Sequence, residues 1–254
     1  MKFGRIGVKT DYRTLRLAEY ITESLEAPPT AFSSIERIAA AVGDSDVTNL
    51  FPMDYNDTLG CCTIAGWAHM VTLFEGMVGQ GLIPAADDVK SAYLALSGGQ
   101  DTGLFCLDVM KYVQANAVLG GDKTLGYVYI NPKNHTHVKQ AIKLFGGVYL
   151  GFQVQGGAIP DFKARRPWDA SMNMTSDGHC VAACAYDDNA PGYADKGGLL
   201  TVLTWGNTQQ ATWAWWDQCV DEVYAILPAE ASDPAFAPGI DFATLNGDLI
   251  AVRG

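Results

Sequence analysis

The sequence predicts an α+β fold with an N-terminal helical half and a C-terminal antiparallel sheet half. Two observations carry this. Residues 56–122 show apolar residues at helical spacing between glycine turns, and residues 123–227 turn to short apolar runs of strand length. No internal repeat or low-complexity segment interrupts that order. The predicted organisation is an N-terminal arm over 1–55, a domain over 56–227 with its helical half at 56–122 and its sheet half at 123–227, and a C-terminal tail over 228–254.

The elements follow in chain order. A short helix is expected over 12–25, stopped by Pro28-Pro29, and another over 35–42 before Gly43. The clearest helix starts near Cys62. Ile64, Trp67, Ala68, Val71 and Phe74 make one buried stripe, and Gly76 and Gly79 end it. Asp87 and Asp88 open a helix to about Ser97, with acids at the positive end of its dipole. GGQDTG at 98–103 is a turn before a third helix that turns Phe105, Val109, Tyr112 and Val113 inward. The sheet half then reads as a strand over 127–130, a helix over 138–145, a strand over 148–154, a long polar loop over 155–178 and a strand over 179–186. It closes with a strand over 199–205, a tryptophan-rich helix over 212–220 and a strand over 222–227. The tail carries a weak strand near 248–252.

Composition bounds the function. The chain has 254 residues, 48 % of them hydrophobic and 18 % charged, which is globular. Its formal charge of −11 argues against nucleic-acid binding, although Lys163, Arg165 and Arg166 form one small basic patch. No membrane span and no secretory leader is expected. Without secretion, the Asn-x-Thr sequons at Asn56, Asn134 and Asn173 carry little weight. The six cysteines include no CxxC pair, so a structural zinc site is not expected and most thiols should be reduced and buried. No segment has the form of a phosphate loop, and no cofactor is expected.

The chemistry centres on NDTLGCCTIAGWAH at 56–69, which places a thiol in the first turn of a helix. A helix N-terminus lowers a thiol's pKa and favours a nucleophile. That nucleophile needs a base. Of the four histidines, His69 lies seven residues further along the same helix, roughly 10 Å away, and reads as a packed or surface residue. His135 and His137 belong to a helix entry. His179 opens a strand after a long loop able to frame a cleft, and shares a face with Val181, Ala183 and Ala185, while Cys180 and Cys184 point into the core.

This ordered set resembles the papain-like cysteine peptidases: Gly60-Cys61-Cys62 at a helix start, Gly178-His179-Cys180-Val181 opening a strand, and Trp205-Gly206 ending one. The resemblance spans about residues 50–227. It implies a papain-like fold, Cys62 as nucleophile by register with Gly60, and His179 as its base. It also implies Asn56, six residues before Cys62 where the family usually has Gln, as an oxyanion donor. The family's histidine-orienting Asn stands two residues before the Trp. Here that position is Leu203, and Asn207 is the candidate substitute.

A second resemblance is to uncharacterised bacteriophage and prophage proteins of this fold. It rests on NDTLGCCT at 56–63, Asp101-Thr102-Gly103, FGGVYLG at 145–151, Gly178-His179-Cys180-Val181, Thr204-Trp205-Gly206 and Thr212-Trp213-Ala214. Two functions follow as expectations. The first is a thiol hydrolase cleaving a peptide or isopeptide bond with a Cys–His pair, its partner being a peptide or protein substrate. The second is an inactive papain-like fold serving as a virion structural protein, such as a capsid decoration or tail-associated protein, whose partners are other virion proteins. The arm and tail would then dock, and exposed Phe236 and Phe242 would favour it. The location is the host cytoplasm or a virion, and a homo-oligomer is compatible with either. The cluster of Trp205, Trp213, Trp215 and Trp216 is expected in the core or at an interface.

Overall fold

The computed structural model describes residues 1–117, 119–120, 124–228 and 237–253. The helical half begins with β1 (Ala31–Ser33), α1 (Ile35–Val42) and α2 (Val47–Leu50), followed by α3 (Cys62–Met77), α4 (Ala86–Leu96) and α5 (Cys106–Ala115). The sheet half contains β2 (Gly126–Ile130), α6 (His135–Phe145), β3 (Val148–Gln155), α7 (Ala158–Lys163) and β4 (Met174–Asp187). It continues through β5 (Leu199–Thr204), β6 (Asn207–Thr212), α8 (Trp213–Cys219), β7 (Val220–Leu227) and α9 (Phe242–Arg253). The sheet runs β2-β7-β3-β4-β5-β6 with antiparallel pairing throughout, and β1 adds to β4. The expected α+β class is the observed one.

Every residue of α3 is buried, as befits a helix apolar on all sides. It lies against the sheet, where the Tyr149 hydroxyl donates to Thr63 O at 2.9 Å. Strand alternation then sorts the core. Cys180, Ala182 and Cys184 of β4 face the α3 side. Val181 and Ala183 face a second cluster with α6, α8, α9 and all four tryptophans of the predicted group. That group is core.

Four expectations change. Residues 12–25 hold only a 3-10 turn at Leu17–Glu19. The segment is an extended strap, bridging Arg16 to Tyr129 and Ile21 to Ile240, and Leu17 and Tyr20 are buried. These long-range contacts outweigh local helix propensity. The polar loop over 155–178 contains α7 and the start of β4. The polar sequence NTQQAT forms the edge strand β6. The weak strand of the tail is the helix α9, capped by Asp241, whose carboxylate accepts from Thr244 N–H at 3.0 Å. Phe242, Leu245 and Leu249 bury α9 on its own domain, and the Tyr20 hydroxyl donates to Asp248 at 2.8 Å. Phe236 lies outside the described residues. No helix among the described residues is long and apolar enough to cross a membrane.

Candidate active site

The site lies where the α3 N-terminus meets β4. Gly60 N–H donates to Asp101 Oδ1 at 2.8 Å, and the same oxygen accepts from the Tyr93 hydroxyl at 2.7 Å. The Asp101-Thr102-Gly103 turn therefore pins the approach to the helix. Cys62 is the first residue of α3 and is fully buried. Burial pushes its thiol up to about 12, against the lowering influence of the backbone N–H groups of Cys180 and Gly4 and the charge of Arg5. The Cys180 contact seats Cys62 beside the residue that follows His179.

His179 is equally buried. Its Nε2 lies 2.8 Å from Thr204 Oγ1, and its ring stacks on Trp205 with centroids 4.7 Å apart and planes at 19°. Phe3 and Phe152 meet it edge-on at 5.4 and 5.5 Å. Nδ1 is buried with no hydrogen-bond partner among the described residues. Burial lowers the imidazole to about 3. Burial thus favours a neutral thiol at Cys62 and a neutral imidazole at His179.

Asn56 is buried on the other side of the cleft. Its Nδ2 donates to Lys2 O and Leu59 O, both at 3.3 Å. The preceding residues Asp54 and Tyr55 have φ of 52° and 61°, a pair of left-handed residues that non-glycine chains rarely adopt. Below them Asp54 is buried, its carboxylate oxygens accept no hydrogen bond, and burial pushes it up to about 7. His69 Nε2 stands 3.5 Å from Asp54 Oδ2 and 3.0 Å from Pro52 O. Burial lowers His69 to about 4 against the raising influence of the Pro52 and Leu203 carbonyls. His69 is thus a packed residue supporting the turn before Asn56.

Among the described residues, the hydrogen-bond and ring partners of His179 do not include Asn207. Asn207 Oδ1 accepts from Thr208 N–H at 2.9 Å, and the partner of His179 is Thr204. Thr204, next to Trp205, supplies the polar contact to His179 Nε2 that Leu203, two residues before the Trp, does not. Its hydroxyl makes that possible where Leu203 has no polar atom.

The N-terminal segment passes through the site, which sequence reasoning missed. Lys2 N–H donates to Asn56 O at 2.9 Å, and Lys2 O also accepts from Trp205 Nε1 at 3.4 Å. Phe3 covers His179 and the Gly4 amide faces Cys62. Leu104 N–H donates to Gly4 O at 2.8 Å, Arg5 N–H to Gly178 O at 3.1 Å and Ile6 N–H to Leu104 O at 3.1 Å. The fit requires glycine at Gly4, where a Cβ would stand 1.7 Å from Gly60 O. Arg5 then pairs with Glu222 and Asp221, and Lys2 with Asp101, whose carboxyl it holds below its ordinary value. No local pattern in the sequence marks Arg5 or Glu222 as partners. All six cysteines are free and buried. Among the described residues no group of three or more His, Cys, Asp or Glu side chains is placed to hold a metal ion.

No protein-family model and no curated protein sequence matches the chain. Solved structures do. Xylellain, a cysteine protease from Xylella fastidiosa, superposes with a TM-score of 0.62 at 15 % identity, over 89 % of this chain and 96 % of that one. Procathepsin B S9 from Trypanosoma congolense gives 0.55 at 12 % identity, over 88 % and 86 %. The cysteine protease and lectin-like domains of Cwp84, a surface layer associated protein of Clostridium difficile, give 0.54 at 14 % identity, over 85 % of this chain and 56 % of that one. With its central buried helix, antiparallel sheet and these neighbours, the chain has the fold of the papain-like cysteine proteases.

Proposed function

We propose that the protein is a thiol hydrolase of peptide or isopeptide bonds, held closed by its own N-terminal segment. The observation that carries this is the path of residues 2–6. An extended backbone crosses the site with its amide on Cys62, its aromatic ring on His179 and its Lys2 carbonyl on Asn56 Nδ2. A peptide substrate would have to place its scissile carbonyl in this same space, with the carbon at Cys62 and the oxygen toward Asn56.

In the open state water returns to Cys62 and His179, and the charged pair becomes accessible. The Cys62 thiolate attacks the carbonyl carbon, forming a C–S bond and an oxyanion. Asn56 Nδ2 and the Cys62 N–H stabilise that oxyanion. The His179 imidazolium gives its proton to the leaving amine as the C–N bond breaks. Neutral His179 then takes a proton from water, which attacks the thioester and releases Cys62. Thr204 and Trp205 hold the imidazole ring. The reading does not depend on a bacteriophage or prophage source.

The test is hydrolysis of a fluorogenic peptide library by the full-length chain, its Gly4→Val variant and the double variant Gly4→Val/His179→Ala. The clash of a Cβ with Gly60 O should dislodge the segment in Gly4→Val and raise turnover, and loss of His179 should abolish it. Equal turnover with and without His179, or none in a folded Gly4→Val chain, would overturn the proposal.

A further inference from the structure

The cleft is acidic where the segment crossing it is basic, and the match is deepest at Arg5. Its side chain and that of Glu222 are each 1 % exposed. Arg5 Nε donates to Glu222 Oε1 at 2.7 Å, and Nη1 and Nη2 reach the two Asp221 oxygens at 3.1 and 2.5 Å. The Tyr224 hydroxyl donates to the remaining Glu222 oxygen at 3.0 Å. Opposite, β3 carries Gly151, where a Cβ would stand 2.3 Å from Arg5 Nε. The absent side chain makes room for the guanidinium.

This pocket is next to Cys62 and His179 along the segment. Arg5 follows Gly4, which faces Cys62, and its N–H bonds to the carbonyl of Gly178, the residue before His179. The backbone on either side is held by main-chain groups of Gly178 and Leu104, which any peptide satisfies. The side-chain contacts alone discriminate. A buried carboxylate without a cation is costly, and among the described residues Arg5 is the only cation paired with Glu222. A planar fork reaching two carboxylates suits arginine, whereas a lysine ammonium lacks that geometry.

We infer that the Glu222–Asp221 pocket is a guanidinium subsite of the cleft, which makes arginine-bearing peptides the substrate class and Arg5 the resident occupant of the closed chain. The catalytic part rests on the hydrolase proposal; the binding part does not.

The test uses the full-length Gly4→Val/Arg5→Ala chain, in which the segment is displaced and the pocket emptied. Fluorescein-labelled Phe-Gly-Xaa-Ile-Gly peptides with Arg, citrulline, Lys or Leu at Xaa are titrated against it by fluorescence polarisation. The arginine peptide should bind at least about tenfold more tightly than the citrulline or leucine peptide. Raised salt should narrow that margin, and adding Glu222→Gln should abolish it. Equal binding of arginine and citrulline peptides, or a preference that survives Glu222→Gln, overturns the subsite. If the double variant does not fold, the single Gly4→Val chain is titrated with the same peptides, and the same ranking decides. Cleavage of the peptides is followed separately by mass spectrometry. Selective binding without cleavage leaves the subsite standing and counts against the hydrolase. Cleavage without arginine selectivity does the reverse.

Discussion

Cys61 and Cys62 are chain neighbours, both fully buried, and burial pushes both thiols up to about 12. They differ in what covers them. Cys61 Sγ donates to Asp54 O at 3.2 Å and is sealed by the turn that leads to Asn56. Cys62 meets the Cys180 and Gly4 amides and the charge of Arg5, and Gly4 and Arg5 belong to the N-terminal segment. Cys61 is held by a turn of the helical half, whereas part of the cover of Cys62 comes from the N-terminal segment. If that segment lifts, as proposed, Cys62 regains water and Cys61 does not.

The largest effect expected is in labelling. Returning a thiol from about 12 toward its ordinary value near 8.5 raises its thiolate fraction on the order of a thousandfold at neutral pH. In the Gly4→Val chain, iodoacetamide labelling mapped by mass spectrometry should speed up by at least about a hundredfold at Cys62, with Cys61 unchanged. Parallel acceleration at both would show general loosening and erase the distinction.

Next comes the anchor of the N-terminal segment, Arg5. Arg5→Ala leaves Glu222 buried without its cation, which should cost about 3–5 kcal/mol of stability near neutral pH. Burial already raises the Glu222 carboxyl against the opposing pull of Arg5, so without Arg5 the carboxyl should remain protonated to higher pH. Part of the loss should then return on acidification. Urea melts at pH 5 and pH 7.5 check this; an equal loss at both would rule out the unpaired carboxylate as its cause.

The cover over Cys61 has its own signature. Asp54 ordinarily titrates at 3.8 and is pushed up to about 7. Between those values the folded carboxyl keeps a proton that the unfolded chain has released, so stability falls as pH rises through the window. His69 does the opposite, because it is lowered from 6.5 to about 4 and the unfolded ring gains a proton as pH falls. Asp54→Asn removes only the first slope. The variant should gain stability relative to the parent between pH 4 and pH 7, by up to about 4 kcal/mol, with Asn tolerated at the left-handed φ. A pH-independent difference in urea midpoints would contradict a buried carboxyl that accepts no hydrogen bond.

How much of this was legible follows from range. α3, the strands around His179 and the tryptophan helix carry their own spacing, and glycines mark their ends. Cys62, His179 and Asn56 stand in short motifs whose order the fold preserves. Arg5 and Glu222 are 217 residues apart, and the strap at 12–25 is held by contacts to β2 and Ile240, so no window of sequence contains either arrangement. β6 was hidden for another reason: as an edge strand it stays polar, which erases the apolar signal of a strand. Asn207 was suggested by an amide beside Trp205-Gly206; in the fold its Oδ1 accepts from the neighbouring Thr208 N–H, and the contact to His179 Nε2 comes from Thr204.

The smallest effect expected, and the one that separates the two thiols most sharply, is at Thr204. Its hydroxyl is the polar partner of His179 Nε2, and stacking on Trp205 already fixes the ring plane. Thr204→Val keeps the shape and removes the hydroxyl, leaving a buried ring nitrogen unsatisfied at a cost of about 1–3 kcal/mol. Because Trp205 still restrains the ring, turnover in the Gly4→Val background should fall by about tenfold with KM little changed, since Thr204 holds the imidazole rather than the substrate. If His179 pairs with Cys62 as proposed, the pH dependence of Cys62 labelling should move with it and that of Cys61 should not. Restoring the hydroxyl with Ser at 204 should recover turnover. A rise in KM alongside the fall in kcat, or turnover with Val at 204 as high as with Ser, would mean that packing and not the hydroxyl sets the ring.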